Sequence, residues 1–93
     1  MVIGVLLVEL HFPQSRSLKD KRREVASLKA RLKNRFNAAV AELDHQDTWQ
    51  RTALGIATLN SQTTVVELTL AAILRDIEGR VEGEILRAET RFY

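Results

Sequence analysis

Nine of the chain's fourteen Lys and Arg residues fall between Arg16 and Arg35: Arg16, Lys19, Lys21, Arg22, Arg23, Lys29, Arg31, Lys33 and Arg35, against only Asp20 and Glu24. The remaining residues carry five basic and ten acidic groups, so the formal net charge of +2 conceals a dipolar molecule with one strongly basic element. Segregated charge of this kind draws a protein toward phosphate-rich or acidic surfaces and performs no bond chemistry by itself. The chemistry on offer is therefore the binding of a polyanion. A second anion-binding candidate is Ser15-Arg16-Ser17, where two hydroxyls and a cation precede a helix whose free N–H groups attract phosphate.

Other chemistries find no residues to carry them. The chain has no cysteine, which excludes disulfides and thiolate metal sites. Its two histidines, His11 and His45, have neither HxxxH nor HxH spacing, so no metal is expected. No Gly-x-Ser-x-Gly nucleophile motif occurs, and Glu82 and Glu84, two apart at a strand end, read as a solvated rim. Neither a cofactor nor enzymatic activity is expected.

These side chains need elements to position them, and 93 residues suffice for a single domain spanning 1–93. Val2 to Phe12 is apolar on both faces and reads as a central strand ended by Pro13. From Leu18 to about Asn34, Leu18, Val25, Leu28 and Leu32 recur at helical spacing, with Ser15 or Ser17 as cap. At about 100° per residue, Lys19, Arg22, Arg23, Lys29 and Lys33 share one arc beside that stripe, without an acid among them.

Phe36 to Leu43 is a second strand, Asp44 to Asp47 a polar turn, and Trp49 to Leu59 a third strand forming a hairpin with it. Asn60 and Ser61 open a second helix with the apolar stripe Val65, Val66, Leu68, Leu70, Ile73, Leu74 and Ile77. Thr64 with Glu67 suggests a capping box and Gly79 a terminator. Val81 to Phe92 is the last strand.

The order β-α-β-β-α-β predicts an α+β, ferredoxin-like sandwich with both helices on one face of a four-stranded antiparallel sheet. Small Gly4, Ala53, Gly55 and Ala57 suit the helix side. Ile3, Val5, Leu7, Val40, Leu54 and Ile56 would then form an apolar patch on the open face. A patch of that size predicts an interface, buried by a second copy in a homodimer or by another protein.

RNA-recognition modules of this topology stack bases on third-strand aromatics. Here that strand reads Arg51-Thr52-Ala53-Leu54-Gly55-Ile56-Ala57, without an aromatic, so RNA would bind through the basic helix and by its backbone. Acylphosphatases also share the topology, but their Gly-rich phosphate loop is missing after the first strand. Trp49, the sole tryptophan, is expected to plug the hairpin end of the core.

Ser17-Leu18-Lys19-Asp20-Lys21-Arg22, Phe36-Asn37 through Val40-Ala41-Glu42, and Asp47-Thr48-Trp49-Gln50-Arg51 followed by Leu54-Gly55 together resemble the YlxP-like family, a bacterial domain of unknown function of similar length. The resemblance covers nearly the whole chain and implies the same ferredoxin-like fold. It also implies a genomic setting among genes for transcription termination, translation initiation and small-subunit ribosome maturation. No activity is established for the family, so no catalytic residue is carried over. The expectation is a small RNA- or ribosome-associated accessory protein whose partner is RNA or a ribosome-bound factor. The opening run Met1 to Val8 reaches Glu9 without a basic leader or cleavage site, so a cytoplasmic protein with no membrane span is expected.

Overall fold

Ten residues of alternating burial, Val2–His11, form the first strand, β1, of a computed structural model that describes every residue except Gln46, Val81 and Glu82, with Arg80 described by its backbone. There follow α1 (Leu18–Arg35), β2 (Ala39–Asp44), β3 (Arg51–Asn60), α2 (Thr63–Arg80) and β4 (Glu84–Phe92). The sheet order is β2-β3-β1-β4 with every neighbouring pair antiparallel, which is the ferredoxin-like topology. β1 lies between β3 and β4, as a strand apolar on both faces requires.

Boundaries move where local hydrogen bonding overrides composition. Phe36 is the C-cap of α1, its N–H donating to the Leu32 carbonyl at 2.9 Å, so β2 begins at Ala39 and not at Phe36. Asn60 Oδ1 accepts the Gln62 N–H at 3.0 Å in the turn that precedes α2, and the helix starts at Thr63, ahead of the expected Thr64 box. Gly79 lies inside α2 without a positive φ and does not terminate it. The expected start of β4 at Val81, and Glu82 of the Glu82–Glu84 rim, lie outside the described residues.

The core is a single layer between sheet and helices. Leu6, Val8, Leu10 and Phe12 from β1 and its end, Leu54 and Ile56 from β3, and Val40 from β2 meet Val25, Leu28 and Leu32 of α1. Val66, Leu70, Ile73 and Ile77 of α2 complete it, each side chain contributing about 1.5–3 kcal/mol by burial. Val65 and Leu68, expected in the α2 stripe, are exposed instead. Gly4 faces α2 so closely that a Cβ there would collide with Val66 Cγ1 and stand 2.9 Å from Leu70 Cδ1.

The facing of β3 and β2 is the main correction. Val40, Leu54 and Ile56, expected on the open face, are buried beneath the helices, while Ala53, Gly55 and Ala57 take the open side. Cross-strand pairing decides this. Leu6 pairs with Ile56 and Val8 with Leu54, large residues against large, and Val40 sits opposite Ile56. Ile3, Val5 and Leu7 do lie on the open face, paired with Leu59, Ala57 and Gly55. Leu43 lies over Gly55, and Ala39 and Ala41 extend the apolar strip to the β2 edge. On the other side β4 sets Arg91, Glu89 and Arg87 opposite Val5, Leu7 and Glu9, so the open face is apolar over β2, β3 and half of β1 and ionic along β4.

Candidate nucleic-acid interface

α1 begins with a self-contained cap. Ser17 Oγ accepts the Asp20 N–H at 3.1 Å, and Asp20 Oδ2 accepts the Arg16 N–H at 3.1 Å. Ser15 is buried, its hydroxyl donating to the Ser17 carbonyl at 3.4 Å. At the expected anion site of Ser15, Arg16 and Ser17 both hydroxyls are thus engaged with the chain's own backbone, and the Arg16 N–H with the Asp20 carboxylate. Arg16 is left exposed at the entrance to the helix.

The inward face of α1 holds Val25, Leu28, Leu32 and one cation, Lys21, whose side chain is fully buried. Lys21 Nζ donates to Glu42 Oε2 at 3.0 Å and to the His45 carbonyl at 2.7 Å, and Thr52 Oγ1 donates to the same carboxylate oxygen at 2.5 Å. On the flank toward α2, Arg31 Nε and Arg35 Nη1 reach the two oxygens of buried Asp76 at 3.0 and 2.6 Å.

The third face carries Lys19, Arg22, Arg23, Lys29 and Lys33, an arc of about 120° lying roughly opposite Arg31 and Arg35 around the helix axis. Lys19, Arg22, Arg23 and Lys33 are exposed and Lys29 is half-buried. None of these five makes an ion pair with a described residue, whereas Arg31, Arg35 and Arg51 each face a carboxylate. The structure thus divides the basic segment into a buried tie (Lys21), a helix–helix clasp (Arg31 and Arg35) and an outward arc.

Trp49 corrects another expectation. It stands just before β3 and is 49% exposed, not a plug of the core. Arg51, two residues further on, is held by Glu9 at 3.3 Å. On the open face Glu89 accepts from Arg91 Nε at 3.1 Å, and this bond, then one to Tyr93, raises the Arg91 guanidinium above its ordinary pKa. His11 approaches Glu84 and His45 approaches Glu9, each at 3.8 Å, and no group of three metal-ligating side chains converges among the described residues.

Sequence reasoning missed the roles of Lys21, Glu42 and Asp76. The signal for Lys21 was present: it precedes Val25 by four and Leu28 by seven residues, on the apolar face. Asp76 likewise adjoins Ile73 and Ile77 on the buried stripe of α2, where a carboxylate demands a cation.

Fold and surface together define a small ferredoxin-like domain with a basic helix on one side and an open sheet on the other. The chain belongs to the family described as "Protein of unknown function (DUF503)", whose profile matches residues 3–90. Over 90 residues it is 36% identical to "Uncharacterized protein YlxP" of Bacillus subtilis (strain 168), covering 95% of this chain and 98% of that protein. Among solved structures, "De novo designed protein Foldit4" superposes with a TM-score of 0.55 at 14% identity, covering 100% of this chain and 97% of that one, a likeness of fold alone.

Proposed function

We propose that this protein is a non-enzymatic, cytoplasmic accessory factor that binds RNA phosphates through Lys19, Arg22, Arg23, Lys29 and Lys33. Ribosomal RNA, free or with a ribosome-bound factor, is the target that the family resemblance favours. The observation that carries the reading is the division of cations on α1. Arg31 and Arg35 share Asp76, while the five arc residues face outward without a carboxylate partner among the described residues. Uncompensated cations on one arc repel one another and serve no folding purpose, but they match a phosphate backbone.

The test is affinity for structured RNA as a function of salt. Four or five phosphate contacts give a log-log slope of about −3 to −4. Binding that ignores salt, or that survives Lys19, Arg23 and Lys29 all becoming Glu, overturns the reading.

A second reading rests on the open face, where Leu43 and Leu59 are more than half exposed beside Ile3, Val5 and Leu7. That apolar strip suits a homodimer joined sheet to sheet. Light scattering at low micromolar concentration that reports only monomer removes it.

A further inference from the structure

The loop carrying Trp49 is fastened to the start of α1 on both sides of the indole. Before it, the His45 carbonyl takes the Lys21 ammonium at 2.7 Å and the Thr48 N–H at 3.1 Å. After it, Gln50 Nε2 donates to the carbonyls of Ser15 at 3.3 Å and Pro13 at 3.4 Å, and the Gln50 carbonyl accepts the Phe12 N–H at 2.7 Å. A tryptophan on backbone held this firmly is ordinarily drawn into the core, since its ring is among the most rewarding surfaces to bury. Trp49 is instead 49% exposed, and its indole N–H has no partner among the described residues.

The same ties bring the loop to the end of α1 where Arg16, Lys19, Arg22 and Arg23 emerge, all exposed and none in an ion pair with a described side chain. An exposed aromatic at the same end of the domain as a run of free cations is a pairing suited to single-stranded nucleic acid: bases stack on the ring while the basic strip follows the phosphates. The acidic groups of the region offset part of this strip, which Lys29 and Lys33 continue along α1. Asp20 accepts the Arg16 backbone N–H and Asp44 the His45 N–H, so both carboxylates serve the chain's own backbone. Asp47, exposed on the same loop, and Glu24, exposed beside Arg23, also oppose a phosphate.

We infer that Trp49 is a base-stacking platform, so that the ligand is single-stranded RNA with one unpaired base on the indole and its flanking phosphates along Arg16, Lys19, Arg22 and Arg23. The inference rests on the RNA reading above and narrows it to unpaired segments. It also relocates base contact from the sheet, whose β3 has no aromatic, to the loop at the end of the sheet.

Trp49 is the only tryptophan, so intrinsic fluorescence reports on this site alone. The probes are an oligouridylate of about 12 nucleotides, within the span of single-strand sites, and an RNA duplex of equal length. Saturable quenching by the single strand is expected. Trp49→Ala should weaken its binding about 5- to 150-fold, the worth of one stacked base, with duplex affinity unchanged and Trp49→Phe losing much less. If labelled oligouridylate binds with the expected salt slope but leaves Trp49 emission unquenched and Trp49→Ala at wild-type affinity, the platform is overturned and the phosphate-binding reading stands. If neither RNA binds, both fall.

Discussion

Lys21 Nζ lies 3.0 Å from Glu42 Oε2, the lysine side chain wholly buried and the carboxylate 18% exposed, so α1 is tied to β2 by an ion pair inside the helix–sheet layer. Two further bonds complete the tie: Lys21 to the His45 carbonyl and Thr52 to Glu42. Burying two charges costs several kcal/mol, and only a geometry this complete offsets it. The pair sets the start of α1 against the β2–β3 connection, and with it the loop that presents Trp49.

Lys21→Met should lower unfolding free energy by about 3–5 kcal/mol, because Glu42 is left charged without its cation. Adding Glu42→Gln, which still accepts from Thr52, should return most of the loss. Urea midpoints at constant m-value check this, and a neutral single mutant would show the pair contributes nothing.

Asp76→Asn separates stability from affinity. Arg31 and Arg35 lose their shared carboxylate, costing about 2–3 kcal/mol once their partial exposure is discounted. The same change frees two cations on α1, so RNA affinity at low salt should rise as thermal stability falls. Parallel melting and anisotropy titrations read both signs.

Two glycines should respond oppositely to alanine. Gly4→Ala drives a methyl into Val66 and Leu70 and should destabilise by about 1–3 kcal/mol. Gly79 sits in α2 with open space around it and no positive φ, so Gly79→Ala should stabilise by about 0.5–1 kcal/mol. Thermal unfolding of both variants checks the pair of signs.

Val5→Glu probes the open face. The side chain is half-exposed in the single chain and faces Arg91 across the strand pair, so the fold should tolerate the charge. Any sheet-to-sheet dimer should dissociate, read as a halved mass in sedimentation, with circular dichroism unchanged.

The topology was legible because β1 is apolar on both faces and each helix keeps a 3.6-residue apolar stripe, Val25, Leu28 and Leu32 in α1 and Val66, Leu70, Ile73 and Ile77 in α2. The facing of β2 and β3 was not, because polar residues stand on their buried side. Glu42 and Thr52 point inward to Lys21, which masks the alternation that would have placed Leu54 and Ile56 in the core. The outward arc was readable from spacing alone, since helical angle fixes which side chains share a face. The Ser15–Ser17 hydroxyls could not be assigned from type, as a cap and an anion site draw on the same groups. Trp49 was misplaced because burial preference describes a residue type and carries no information on a loop's tethers.

The helix layer and the bare sheet lie on opposite sides of the domain, and this has a consequence for assembly. Two copies joined sheet to sheet about a two-fold axis would turn their basic arcs outward in opposite directions, making the pair bivalent. Such a pair could bridge two segments of one folded polyanion, gaining avidity of about 10²–10⁴ over a single arm without any new contact.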